Sequence, residues 1–223
     1  MHFEILVEDQ SGEKTLNILI PKIIGNEHTF NVHSYKGIGR IPRNLNANLT
    51  DANRRFLLTQ LPKLLDGYGK TYAGYHKNYQ AAVIVICDLD DKCLTKFRNE
   101  LNNILNNCNT KPITRFCIAI EEGEAWFLGD IQAIKSAYPK AKNKILNAYK
   151  NDAICGTWEC LADAIYKGGS VLLSKKGWQA VGLEKSRWAE KISPHMNVEK
   201  NESPSFNYLR QKLNELLASI TLE

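Results

Sequence analysis

Apolar and polar positions along the chain fall into two rhythms. Residues 3–7, 29–34, 81–87 and 115–120 are short apolar or alternating runs of the kind that form strands. The third run, Ala81 through Cys87, is continuously apolar and rich in β-branched residues. That composition suits a central strand covered on both faces. Between the runs, apolar residues recur at helical spacing. Leu16, Leu19, Ile20 and Ile23 mark a helix over residues 11–24, with Ser11 as its expected cap. Phe56, Leu57, Leu61 and Leu64 mark a second helix opening near Thr50 and Asp51, which Pro62 is expected to break or kink. Leu94, Phe97, Leu101, Ile104 and Leu105 mark a third over residues 91–107, with Asp91 as its expected cap.

Strands alternating with helices predict a parallel sheet with right-handed crossovers. After Trp126 the strand rhythm stops. Helical spacing continues in residues 131–138, 141–149, 160–166, 184–192 and 206–217, and Ser203-Pro204-Ser205 opens the last of these with a capping hydroxyl and a first-turn proline. The expected fold class is therefore α/β: a mostly parallel sheet flanked by helices over residues 1–125, and a C-terminal helical extension or lid over residues 126–223. Trp126, Trp158, Trp178 and Trp188 are expected to pack in the core or the lid rather than to contact a ligand.

Carboxylates gather where the strands end. Glu8 follows the first strand, Asp88-Leu89-Asp90-Asp91 follows the third, and Glu121-Glu122-Gly123-Glu124 follows the fourth. In an open parallel sheet the carboxyl ends of the strands share one edge, where ligands bind. Residues two apart in an extended chain project to the same side, so Asp88 and Asp90 are expected to face one ion together with Glu8. Such a cluster calls for compensation, because two like charges at 4 Å repel by roughly 4 kcal/mol at an effective dielectric of 20. A hard divalent cation is the expected answer, Mg2+ or Mn2+. Glu121 and Glu122 are expected to sit in a solvated turn.

The chain has 223 residues and a formal charge of +5, mildly basic rather than strongly so. No apolar run approaches the ~18 residues needed to cross a bilayer. The six cysteines form no C-x-x-C pair. Cys155 and Cys160 come nearest to a zinc half-site and lack a second pair, so free thiols in a reducing cytoplasm are expected. His33, in an alternating strand, is expected to be structural.

Val7-Glu8 after one strand and Asp88-Leu89-Asp90 after a later hydrophobic strand resemble the two signature elements of the Toprim fold, the catalytic domain of topoisomerases, primases and OLD-family nucleases. The usual glycine after the glutamate is replaced here by Asp9. The stretch from Glu121 to Asp130, with Glu124-Ala125-Trp126, and the late Ser203-Pro204-Ser205-Phe206 are similar to motifs of small stand-alone Toprim-like proteins of the domain-of-unknown-function class. The resemblance implies that Glu8 acts as a general acid/base or metal ligand. It also implies that Asp88 and Asp90 hold Mg2+ and that Glu124 completes the site. A further implication is a neighbouring ABC- or SMC-like ATPase in an antiviral defence system.

Two basic loops could carry a nucleic acid. Residues 35–43 include Lys36, Arg40 and Arg43; residues 68–79 interleave Lys70, Tyr72 and Lys77 with further tyrosines. Cations neutralise phosphates and aromatic faces stack on bases. Three functions are therefore expected to compete. One is a Mg-dependent nuclease. Another is a non-catalytic module docking on an ATPase. The last is a phosphoryl-transfer enzyme with Asp88 as nucleophile.

Overall fold

The computed structural model describes residues 1–42, 45, 55–76, 79–152 and 156–220. Four strands, β1 (His2–Val7), β2 (Thr29–Ser34), β3 (Ala81–Asp88) and β4 (Thr114–Ala119), form one parallel sheet in the order β2-β1-β3-β4. His2 lies between Thr29 and Ala81, Val7 between Ser34 and Ile86, and Asp88 is opposite Ala119. The ends of β1 and β3 therefore come level at one edge. That is the geometry the sequence pattern called for.

Side-chain alternation splits the core in two. Phe3, Ile5, Val7, Ala82, Ile84, Ile86, Cys117 and Ala119 face one side, and Leu6, Val83, Val85, Cys87, Phe116 and Ile118 face the other. The second face is covered by α2 (Leu57–Ala73) and α3 (Leu94–Asn106) through residues such as Leu61, Leu65, Phe97 and Leu101. The first is covered by α1 (Gln10–Ile24) and by the helices that follow β4. These are α4 (Glu124–Leu128), α5 (Ile131–Ala137), α6 (Asn143–Leu146), α7 (Thr157–Ile165), α8 (Gly169–Ser174), α9 (Trp178–Ile192) and α10 (Pro204–Ile220). Trp126, Trp188, Phe206, Leu209 and Leu213 belong to the same apolar cluster as Phe3 and Leu16. The boundary at residue 125 falls inside this shared core.

Local chemistry departs from the sequence expectations in four places. Asp9, not Ser11, caps α1: it accepts from the Gly12 amide at 2.7 Å, while the Ser11 hydroxyl donates to it at 3.1 Å. Gly12 is needed here, since a Cβ would meet the Val7 side chain at 2.5 Å. Pro62 lies within α2 without ending it, because it falls just past the first turn and removes only one bond; Thr50 and Asp51 are outside the described residues. Cys93, not Asp91, stands at the N-cap of α3, and Asp91 is exposed. Trp126, Trp158 and Trp188 are buried, but Trp178 is 83% exposed, because it overhangs the start of α9.

The opening of α10 explains the late serine motif. Asp152 accepts from the Ser203 hydroxyl at 2.9 Å and from the Ser205 amide at 2.6 Å, and the Trp126 indole donates to the Ser205 hydroxyl at 3.1 Å. Asn201 binds the Trp126 carbonyl at 2.8 Å. A side chain at Gly129 would strike Asn201 and Ser203. The segment around Trp126 and the serine-rich opening of α10 thus hold each other.

Candidate active site

Glu8 leaves the end of β1 and Asp88 ends β3, the neighbouring strand. The Glu8 carboxylate accepts from the Asp88 amide at 3.2 Å. Both line a cavity with Asp9, Gly12, Glu124, Trp126 and Lys185. Its volume, about 30 Å³ open to water centres, suffices for one or two waters.

Taking carboxylates out of water favours their protonated form. Burial pushes Glu8 up to about 7, with the charges of Asp9 and Asp90 adding to the shift. Burial, then the Glu8 charge, raises Asp88 well above the usual carboxylate range. Glu124 is 2% exposed, and burial lifts it to about 7 against the pull of Lys185.

Lys185 enters the cavity from α9, 3.0 Å from Glu124 and 3.2 Å from Glu122. Burial alone would lower its pKa, but Glu124, Glu122 and Asp88 outweigh that and hold it above its ordinary value. A protein ammonium therefore supplies part of the compensation that the sequence reading assigned wholly to an ion. The sequence carried one sign of it: Lys185 lies four residues after Val181 and four before Ala189, on the stripe of α9 that is otherwise buried.

The structure brings Glu8, Asp88 and Glu124 together and leaves Asp90 aside. β3 ends at Asp88, Leu89 turns into the core, and Asp90 takes a left-handed conformation with φ 50°. The extended spacing assumed for Asp88-x-Asp90 stops at Asp88, and Asp90 does not line the cavity although its charge still acts on Glu8. Asp90 instead pairs with Lys92 at 2.6 Å. Glu121 and Glu122 lie in the turn after β4 but are half-buried and bonded rather than fully solvated. Glu121 accepts from the amides of Gly156 and Thr157 at the start of α7, and Glu122 reaches Thr157 and Lys185. Both tie the sheet edge to the helical layer.

Among the described residues, no three His, Cys, Asp or Glu side chains are gathered tightly enough to hold an ion by themselves. Glu124 is held by Lys185, and Asp9 by the Gly12 amide and Ser11 hydroxyl, which leaves Glu8 and Asp88 as the oxygen donors facing the cavity. Two carboxylates plus waters and substrate oxygens is the usual complement for Mg2+. The donor set fits a hard cation of that kind.

The two basic loops lie at opposite edges of the sheet. Lys36 and Arg40 are exposed on the segment after β2, where the Gly37 amide binds the Glu8 carbonyl at 2.8 Å. Lys70 pairs with Asp66 at 2.7 Å, and Tyr72 stacks on Tyr68 at 5.7 Å between ring centres. That tyrosine run continues through Tyr75 to Tyr79, whose ring is 6.3 Å from His2 at the start of β1. At ~3.3 Å per residue, the length of β1 puts roughly 20 Å between that end and Glu8. Arg43 and Lys77 are outside the described residues. His33 binds Glu4 at 2.5 Å and His2 binds it at 3.0 Å, a cross-strand polar cluster consistent with a structural role.

Among the described residues, no helix is long and apolar enough to cross a membrane. Comparison with known proteins found one family, described as a domain of unknown function (DUF4276), matching residues 7–214. No curated protein and no solved structure matched the chain.

Proposed function

The chain belongs to the DUF4276 family, and for it we propose hydrolysis of phosphodiester bonds in DNA or RNA, dependent on Mg2+ or Mn2+. The observation that carries this reading is the convergence of Glu8, Asp88 and Glu124 from separate elements on one cavity at the carboxyl edge of a parallel sheet. Four carboxylates, counting Glu122, face a single lysine there. Once these groups lose their protons their negative charge exceeds that of the lysine and calls for a cation, and the oxygen donors suit a hard one. Such a cation, when bound, would polarise a phosphoryl oxygen and lower the pKa of a water.

The residues supply the rest. Glu8, with a pKa near 7, can take a proton from a water and return it at neutral pH, as general base catalysis requires. Asp88 would hold the cation beside Glu8. Lys185 pairs with the buried Glu124 and lies where it can face charge developing on a phosphate. Lys36 and Arg40, on the loop bound to the Glu8 carbonyl, can neutralise neighbouring phosphates. The resemblance to Toprim nucleases supports the same reading through Glu8 and the Asp88-Leu89-Asp90 element, and adds the expectation of an ATPase partner in antiviral defence.

A direct test is cleavage of plasmid DNA and transfer RNA with Mg2+ or Mn2+, comparing wild type with Asp88→Ala and Glu8→Gln. Each variant is expected to lose at least about a hundredfold in rate, the usual range for removing a group acting on the proton. Cleavage by all three at one rate would sink the proposal. A second reading is favoured by the Lys185–Glu124 ion pair, which partly neutralises the cavity from within. On it, the protein is a non-catalytic module that docks on an ATPase. It predicts a complex that survives Glu8→Gln, with no metal-dependent hydrolysis in the bound or free state.

A further inference from the structure

Among the described residues Trp178 is the most exposed large apolar side chain, at 83%. It opens α9, the helix that sends Lys185 into the cavity. Seven residues separate the two. At 3.6 residues per turn that is two turns, so they project to nearly the same side, about 10 Å apart along the axis. Val181, Trp188, Ala189 and Ile192 share that side and are buried. Trp178 therefore continues the inward stripe of α9 past the point where the described residues cover it.

The turn before it is Lys175-Lys176-Gly177. Lys175 is exposed, and Lys176 lies over the Tyr166 ring at 5.4 Å while donating to its hydroxyl at 2.7 Å. Residues 131–191 carry eleven Lys and Arg against five Asp and Glu, so the helical layer is the basic part of a mildly basic chain. Lysine is depleted in protein–protein interfaces, and an indole beside consecutive lysines suits a polyanion with exposed ring faces. Bases offer those faces only when unpaired.

We infer that Trp178 and Lys175 form a docking point for a single-stranded nucleic acid, the indole stacking on an unpaired base and the ammonium holding its phosphate. Delivery of that strand to the carboxylate cavity rests on the proposed nuclease reading; the contact itself does not. The arrangement makes chemical sense of the cavity's own charge. Carboxylates repel phosphates, so a strand needs a cationic and aromatic hold beside them.

Because the other three tryptophans are buried, the emission of Trp178 can be followed in the full chain. A short oligothymidylate or oligouridylate, added to wild type with a chelator present to prevent cleavage, is expected to quench it. Trp178→Ala is expected to weaken binding, followed by anisotropy of a labelled oligonucleotide, by between about fivefold and about a hundredfold. Trp178→Phe should recover part of the loss, and Lys175→Glu should weaken binding and flatten its salt dependence. Unchanged affinity in Trp178→Ala would overturn the inference, as would quenching by anionic vesicles but not by the oligonucleotides. Cleavage assays on the same samples report separately. A chain that binds through Trp178 and never cuts keeps this inference and refutes the nuclease; one that cuts with unaltered KM in Trp178→Ala does the reverse.

Discussion

Lys185 is the residue that most changes how the carboxylate edge works. Read from sequence, Glu8, Asp88 and Asp90 looked like ligands awaiting an ion, with Glu124 completing the site. In the fold, Glu8, Asp88 and Glu124 line the cavity, Glu124 paired with Lys185, while Asp90 pairs with Lys92. Placing Glu8, Asp88 and Glu124 at one edge needed only the strand pattern, since each follows a strand. Lys185 comes from 61 residues beyond Glu124, and a single lysine in an amphipathic helix reads as solvated unless its angular position is checked. Asp90 stands outside the cavity lining for a more local reason: the alternation rule stops where the strand stops. Two outcomes follow. Glu8 and Glu124 have folded pKa values near 7, above the 4.5 of the free group. Their protonated forms are therefore favoured by folding, a stabilisation present below about pH 4.5 and lost as pH rises through about 7. The melting temperature of the metal-free protein, scanned from pH 5 to pH 8, should fall, and Mg2+ or Mn2+ should restore it more at pH 8 than at pH 5. Lys185→Met leaves Glu124 buried without its partner, a change that costs about 3–5 kcal/mol when the carboxylate stays ionised. Urea unfolding should show that loss above pH 8 and much less of it at pH 5, where Glu124 takes up a proton.

Among the elements, the four strands and the long helices were readable because each has a strong period and a single apolar face. Two of the short helices were not. α4 and α8 span five and six residues, too few for a hydrophobic period to repeat, and they exist because neighbours hold them. Glu121 shows the same limit: its capping of α7 joins residues 35 apart in sequence, and nothing local announces it. Trp178 was assigned to packing with the other tryptophans, yet it opens α9 six residues before the expected helix and is exposed. The Ser203-Pro204-Ser205 opening of α10 was legible as a cap, but its acceptor, Asp152, was not. Asp152→Ala removes an acceptor for the Ser203 hydroxyl and the Ser205 amide. Loss of a cap of this type costs about 1 kcal/mol, so thermal unfolding should drop by roughly 2–4 °C for a chain of this size.

For the molecule as a whole, the decisive feature is that residues on both sides of position 125 share a core. The sheet face formed by Phe3, Ile5, Ile84 and Ile86 meets Trp126, Leu161, Trp188 and Leu213. The sequence suggested a helical extension or lid beyond that point because strands ceased there, and loss of one rhythm says nothing about what the next elements pack on. A fragment of residues 1–125 would leave that face uncovered. It is expected to bind a hydrophobic dye and to unfold without a cooperative transition, whereas the full chain should unfold in one step by circular dichroism and by tryptophan emission alike. A sharp, independent transition in the fragment would show that the helical layer is an accessory.

The order of synthesis gives the covered face one more consequence. Leu16, Leu19 and Ile20, on the first helix, share their cluster with Leu209, Leu213 and Leu216, on the last. A ribosome makes the former long before the latter, so the emerging polypeptide carries a naked greasy strip through most of translation. Chaperones that patrol the exit tunnel would hold this nascent chain until its final helix is released.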